Sequence, residues 1–217
     1  PRAFDFVWAP AHDEVDGNNV MTTILGPHEL THESLKNEAS NWHDRLSSPA
    51  VTGKCVGVLI GGPNKFYDFD PSEMQKLAEN LLLLAQQGHR LLISLSSRSL
   101  QDYADILKQT LAGRDYYLWH GKGDNPYKAI LGLADQLIVT GDSVNMVGEA
   151  CFAGVPVQVY FLRGHSRRFN RFYEQLFVQD YVKPFEGKLE SWPYEPRNAT
   201  PEIVAKILDA YHLHQNK

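Results

Sequence analysis

The chain has 217 residues, 43% of them hydrophobic and 22% charged, with a net charge of −5. That is enough apolar material for one large core and an annex. The acidic balance argues against a broad nucleic-acid footprint, and the longest aliphatic run, residues 81–85, falls far short of the ~20 residues of a membrane-spanning helix. No signal-peptide pattern opens the chain, which starts at Pro1 and reads as a fragment or a processed chain. Cys55 and Cys151 sit in apolar settings, and the expectation is two free thiols in a reducing cytoplasm, with no disulfide scaffold.

In chain order, "FDFVWAP" and "VMTTIL" read as two strands, and "THESLKNEASNWHDRL" as a polar helical connector. Residues 1–50 are too short for a separate domain and read as the tail of a preceding α/β domain plus a linker. From residue 51 on, strands and helices alternate. "CVGVLIGG" is an apolar strand ending in two glycines. A helix follows, with Asp70 as N-cap, Pro71 at the first helical position, Glu73 completing a capping box and Gly88 as its stop. "RLLISLSS" is the second strand, followed by a helix capped by Ser99 and closed by Gly113. "YYLWHG" is the third, followed by a helix with Asn125 as cap and Pro126 in the first turn. "QLIVTG" and "VQVYFL" are the fourth and fifth. The stretch "FNRFYEQLFVQDYVKPF" reads as helical, with Phe169, Phe172 and Leu176 packed inward. A last helix has Thr200 as cap and Pro201 at its start. The strands are near-continuous apolar runs, the mark of a parallel sheet buried on both faces. The fold class is therefore α/β, a Rossmann-like doubly wound parallel sheet, with residues 51–217 as its main domain.

Ligands of such sheets bind beyond the carboxyl ends of the strands. Here those ends read "GGPNK", "SLSSRS", "HGKGDNPY" and "TGDS". Gly61 and Gly62 would let backbone N–H groups approach an anion, with Asn64 and Lys65 adding donors; a tight turn with no ligand is the alternative. Ser96, Ser97 and Arg98 follow the second strand, where Arg98 could fork onto a phosphate or lie on the surface. Trp119 and His120 are candidates for stacking on a base; a core tryptophan is the other reading. In "TGDSVNM", Asp142 and Met146 flank Ser143, the natural N-cap of a helix over 144–153 whose free N–H groups and positive dipole end favour an anion. Glu149 lies four residues after Asn145, on the same helix face. A carboxylate in so apolar a helix needs partners. A ribose offers two vicinal hydroxyls; a structural hydrogen bond to a neighbouring loop is the alternative.

"HELTH", His28–His32, matches the zinc-protease pattern H-E-x-x-H. It follows Gly26-Pro27, has a polar flank and lacks a clear third ligand, so chance is the simpler account. The basic, aromatic run "SRRFNRFYEQL" reads as a solvated helix face. No acidic pair ends a strand, so no metal is required.

The runs "WHGKGDNPYKAILGLADQLIVTGDSVNMVGEACFAGVPV", "KPFEG" and "ESWPYEPRNAT", with "LIGGPNK" and "APAHD", resemble the mitochondrial-fission "elongated mitochondria" family of plants and its bacterial relatives. The resemblance covers nearly the whole chain. It implies a GT-B-type glycosyltransferase-like architecture of two Rossmann-like domains, of which this chain would hold the end of the first and the whole second. It also implies a nucleoside-diphosphate sugar as ligand, with no further cofactor. Gly61 and Gly62 would lie near the diphosphate, Ser143 and Asn145 at the phosphate-facing helix start, and Glu149 on the ribose. His12 and Asp13 of "APAHD" are the candidates for catalytic groups facing the cleft. The functional expectation is a nucleotide-sugar-binding protein related to glycosyltransferases. The alternative is a non-catalytic adaptor recruiting a dynamin-like partner, and a zinc protease is a minor one. Expected partners are a nucleotide sugar, no nucleic acid and no transmembrane segment, with peripheral membrane association left open.

Overall fold

A computed structural model describes residues 3–49 and 51–215. The chain starts with β1 (Val7–Pro10), a single 3-10 turn (Ala11–Asp13), β2 (Val20–Thr23) and α1 (His32–Leu46). It continues through β3 (Cys55–Ile60), β4 (Tyr67–Asp68), α2 (Pro71–Gln86), β5 (Arg90–Leu95), α3 (Asp102–Thr110), β6 (Tyr116–Trp119), α4 (Tyr127–Leu133) and β7 (Gln136–Thr140). Then come α5 (Val144–Phe152), β8 (Val157–Tyr160), β9 (Arg163–Gly164), α6 (Arg167–Val178), β10 (Val182–Pro184) and α7 (Thr200–Gln215).

Six strands form one sheet in the order β10-β8-β7-β3-β5-β6. Every pairing in it is parallel, as the unbroken apolar runs predict. Numbered from β3, the order is 3-2-1-4-5-6, so the connections change direction between β3 and β7, and ligands of doubly wound sheets seat at that switch point. Alternation along each strand divides the core. Leu59, Leu92, Leu137, Val139, Val157 and Val159 face α1, α4, α5 and α6. Val58, Ile60, Leu91, Ile93 and Ile138 face α2 and α3. β1 and β2 pair in parallel as a separate two-stranded sheet, and β4 pairs antiparallel with β9.

Several local details differ from the expectations. The run 169–185 is not one helix: α6 ends at Val178, Asp180 takes a left-handed φ of 53°, and Val182–Pro184 adds a sixth strand beside β8. A three-residue strand has too short a pattern to stand out from a helical one. Ser99 does not cap α3; its hydroxyl donates to the Gly61 carbonyl at 2.6 Å. Asp70 caps α2 by accepting from Glu73 N at 2.9 Å, but the Glu73 carboxylate turns to Tyr160 Oη at 2.7 Å and Lys76 Nζ at 3.1 Å, so no capping box closes. Asn125 Oδ1 accepts from Tyr127 N at 3.0 Å as a cap would, but α4 itself begins at Tyr127, with Pro126 in the cap position. Thr200 is the first residue of α7. Its hydroxyl joins the His28 backbone, accepting from N and donating to O, both at 3.0 Å.

The polar connector is more firmly seated than its composition suggests. Thr31 caps α1 in a capping box with Ser34, and Leu35, Trp42 and Leu46 are buried against the main core. Gly132 of α4 permits the close crossing: a methyl group there would lie 2.5 Å from the Leu35 carbonyl oxygen and 3.1 Å from Ala39 Cβ. Backbone cannot yield as a side chain can. Gly132→Ala should therefore cost about 1–3 kcal/mol, read as a lower urea midpoint, even though alanine is the better helix former.

Candidate functional site

The carboxyl ends of β3, β5 and β7 converge on one side chain. Asp142 is fully buried, with its side chain 0% exposed. Its Oδ1 accepts from Thr140 Oγ1 at 2.6 Å. Its Oδ2 accepts from Gly62 N at 3.2 Å and from Arg98 Nη2 at 2.6 Å. Its backbone carbonyl accepts from Asn64 Nδ2 at 3.1 Å. The two glycines have a clear physical reason: a methyl at Gly61 would overlap the Asp142 carboxylate, and one at Gly62 would overlap the Arg98 carbonyl. Their amides are engaged within the protein, Gly61 N donating to Thr140 Oγ1 at 2.8 Å and Gly62 N to Asp142. Asn64 is equally committed, its Oδ1 accepting from Phe66 N and Tyr67 N.

Ser143 caps α5, its hydroxyl accepting from Met146 N at 3.5 Å. The Val144 and Asn145 N–H groups have no protein acceptor among the described residues. They point out of the N-terminus of a helix, where an anion is favoured. Glu149 answers to a protein partner: its Oε2 accepts from Tyr127 Oη at 2.5 Å. Burial first, and then the neighbouring Glu149 charge, push the Tyr127 phenol well above its ordinary pKa, so it stays a donor. Asn145, Gly148 and Glu149 line a cavity of about 70 Å³, closed from the other side by Gly26, Pro27 and His28 after β2.

The other expected residues are more dispersed. Lys65 is exposed, its ammonium 4.7 Å over the Phe66 ring. The Ser96 hydroxyl accepts from Arg98 N at 3.2 Å, and Ser97 is exposed. Met146 is half-buried and packs against the main core. Trp119 ends the edge strand β6, half-buried, with a buried indole nitrogen that has no partner among the described residues, and His120 beyond it is exposed. Three strand spacings, about 14 Å, separate β6 from β7, so these two do not join the α5 cluster. Tyr127 is the residue that sequence reading passed over; its place on α4 opposite α5 becomes visible only once the two helices pack.

His12 is 2% exposed, and neither ring nitrogen has a hydrogen-bond partner among the described residues. It packs edge-on to Phe172 of α6, with a centroid separation of 5.3 Å. Asp13 accepts from Arg168 Nε at 2.5 Å, Glu14 pairs with Arg171, and Arg171 Nη1 donates to the His12 carbonyl at 3.3 Å. Burial holds the imidazole below its usual pKa; Asp13 opposes the shift, while Arg168 and Arg171 add to it. His28 and His89 are also lowered, chiefly by burial.

The zinc-protease reading fails on geometry. α1 begins at His32, so His28 and Glu29 precede it and the two histidines do not share a helix face. Both rings lie against Phe152, with centroids at 4.7 Å and 4.5 Å. Among the described residues, no group of three or more His, Cys, Asp or Glu could hold a metal ion. Among the same residues, no helix is long and apolar enough to cross a membrane. Cys55 and Cys151 are free, and burial raises both thiols, Cys55 to about 11.

A model of the family described as "Mitochondrial fission ELM1" matches residues 1–211. The chain belongs to the mitochondrial fission ELM1 family. It is similar to "Mitochondrial fission protein ELM1" of Arabidopsis thaliana, with 29% identity over 194 residues, covering 88% of this chain and 45% of the relative. A second relative, "Uncharacterized protein RP120" of Rickettsia prowazekii (strain Madrid E), is 28% identical over 170 residues, covering 74% of this chain and 48% of the relative. The chain thus spans about half the length of these curated relatives. Among solved structures it is similar to UDP-GlcNAc 2-epimerase from Neisseria meningitidis bound to UDP-GlcNAc, with TM-score 0.47 and 16% identity over 92% of this chain and 57% of that one. It is also similar to a family 9 glycosyl transferase from Veillonella parvula, with TM-score 0.42 and 14% identity over 85% of this chain and 53% of that one. Likeness at that level carries no functional weight.

Two outcomes test the site's chemistry. Tyr127→Phe removes the donor to Glu149 and should lower stability by about 1 kcal/mol at neutral pH, measured by urea unfolding; an unchanged midpoint would mean that Glu149 has another partner. Buried neutral histidines bind fewer protons folded than unfolded, so their contribution is present above the unfolded pKa and is lost as pH falls below it. Stability should decline from roughly pH 7 to pH 5, and His12→Leu should make that decline shallower by up to about 1 kcal/mol per pH unit.

Proposed function

We propose that this ELM1-family chain is the nucleotide-sugar-binding half of a GT-B-type protein related to glycosyltransferases. The observation that carries the reading is the placement of α5: its free N-terminal amides, the Asn145 side chain beside them and, one turn on, Glu149 all lie at the switch point of a 3-2-1-4-5-6 parallel sheet. The ligand's phosphate would take the Val144 and Asn145 N–H groups, assisted by the helix dipole and by the outward side of Arg98. Glu149 keeps Oε1 for a ribose hydroxyl while Tyr127 holds Oε2. The cavity beside Glu149 is smaller than a nucleoside, so the 26–28 segment has to move outward on binding.

On this reading residues 1–50 are the end of an N-terminal Rossmann-like domain and 51–217 the C-terminal one. Transfer would be a displacement at the sugar's anomeric carbon, with the nucleoside diphosphate as leaving group. His12, kept neutral by burial, has the protonation state of a base, and reaching an acceptor hydroxyl requires that α6 and its Arg168–Asp13 contact open. A cytoplasmic setting fits the two unpaired thiols. The adaptor reading draws on one observation, the exposed apolar stripe Val204, Ile207, Leu208 and Tyr211 along α7, a surface suited to a protein contact.

Titration of UDP-, GDP-, ADP- and CDP-sugars against the protein, followed by thermal shift, decides between the two. One of them should raise the melting temperature, and Glu149→Gln should weaken its binding roughly tenfold or more. No response to any nucleotide would sink the glycosyltransferase reading and leave the adaptor.

A further inference from the structure

A second cavity, of about 460 Å³, is lined in part by the residues that run into the segment closing over Glu149. Its walls come from three places distant in sequence: Ile24 and Leu25 after β2, Gln179 and Tyr181 between α6 and β10, and Arg197 and Glu202 around the start of α7. This volume suits a small molecule, and nothing in the proposed nucleotide site uses it.

The polar groups of the walls are open to solvent or a ligand: Gln179, Arg197 and Glu202 are exposed. Tyr181 is 6% exposed, its ring held edge-on by Tyr194 at 5.7 Å, and its hydroxyl, with no protein partner among the described residues, is not fully buried and opens to the cavity. Arg197 and Glu202 line the same space without pairing with each other or with any other described charge. The Gln179 side-chain amide is also without a protein hydrogen bond. Ile24 and Leu25 supply apolar surface for the C–H face of a ring. The guanidinium calls for an anion in a fork geometry. The carboxylate, in the same cavity, calls for hydroxyl donors rather than a second anion. An inorganic ion would answer Arg197 and leave Glu202 repelled; an apolar ligand would answer neither.

We propose that the cavity between Leu25, Tyr181, Arg197 and Glu202 binds a small polyhydroxylated anion, an acidic or phosphorylated monosaccharide. The anionic group sits on Arg197, ring hydroxyls donate to Glu202, and Tyr181 hydrogen-bonds from the floor. Leu25 and Gly26 adjoin in the chain, so the wall of this cavity leads directly into the loop over Glu149.

Isothermal titration with D-glucuronate, D-glucose 1-phosphate and neutral D-glucose tests the assignment and separates the two anion sources. At millimolar ligand one or both anions should bind and glucose should not. Arg197→Gln, at an exposed position that leaves the fold intact, should weaken that binding roughly tenfold or more, and Tyr181→Phe by several-fold. Glu149→Ala should leave it unchanged, which separates this site from the nucleotide site whether or not a nucleotide binds there. No heat from either anion, equal binding of glucose, or loss of binding in Glu149→Ala instead of Arg197→Gln would each overturn the proposal.

Discussion

The buried carboxylate of Asp142 is the constraint around which the ligand-facing end of this sheet is built. A charge with no solvent contact is tolerable only when it is fully hydrogen-bonded and paired. Asp142 meets that condition by gathering Thr140 from its own strand, Gly62 from the β3 loop and Arg98 from the β5 loop. Each partner is thereby fixed. The chain after β3 must approach within carboxylate contact, which only glycine permits at 61 and 62. The chain after β5 must present its arginine inward, and Ser99 holds that loop to the β3 carbonyls. Three loops at three strand ends thus share one anion, and this anion belongs to the protein.

That arrangement shifts where a ligand's charge can go. In many doubly wound folds a glycine turn offers free amides to phosphate. Here those amides already serve Asp142 and Thr140, so the glycines support the crevice floor. The free donors are one element further on, at the start of α5, and Arg98 is the only member of the Asp142 cluster whose side chain remains 40% exposed. A phosphate meeting α5 would therefore sit beside an ion pair that has to stay closed, because Asp142 is buried, and Arg98 can offer it only the N–H groups that Asp142 leaves free.

The sheet was legible in the sequence because its signal is dense. Cys55–Ile60 is an apolar run, β5 and β7 are apolar through residues 91–93 and 137–139, and the helices between them carry their own start and stop residues. What escaped has a physical reason in each case. Val182–Pro184 is three residues long and follows an aromatic helix, so periodicity cannot separate it. Ser99 and Thr200 looked like caps because their residue type and spacing fit, but a hydroxyl takes the acceptor that tertiary packing offers, here Gly61 and His28. The strand-end loops stand out in the sequence as polar and rich in Gly, Ser and Asn. Their internal commitments, carboxylate to amide and arginine to carboxylate, depend on which strands are neighbours, and the order 3-2-1-4-5-6 is not written in any local stretch.

Glu149 shows how the two levels meet. An apolar helix containing one carboxylate implies a partner, and the partner is Tyr127 on the helix preceding the same strand. A structural bond and a binding role are compatible here because the bond uses one oxygen. Tyr127 removes the rotational freedom of the carboxylate, and an acceptor already held in place loses less entropy when a hydroxyl arrives. The same logic applies to the facing loop. His28 is tied by both backbone atoms to Thr200 and by its ring to Phe152, so opening the cavity over Glu149 means releasing contacts made with the first residue of α7. Loop, terminal helix and carboxylate are therefore coupled: whatever enters beside Glu149 has to compete with the contacts that now close the site.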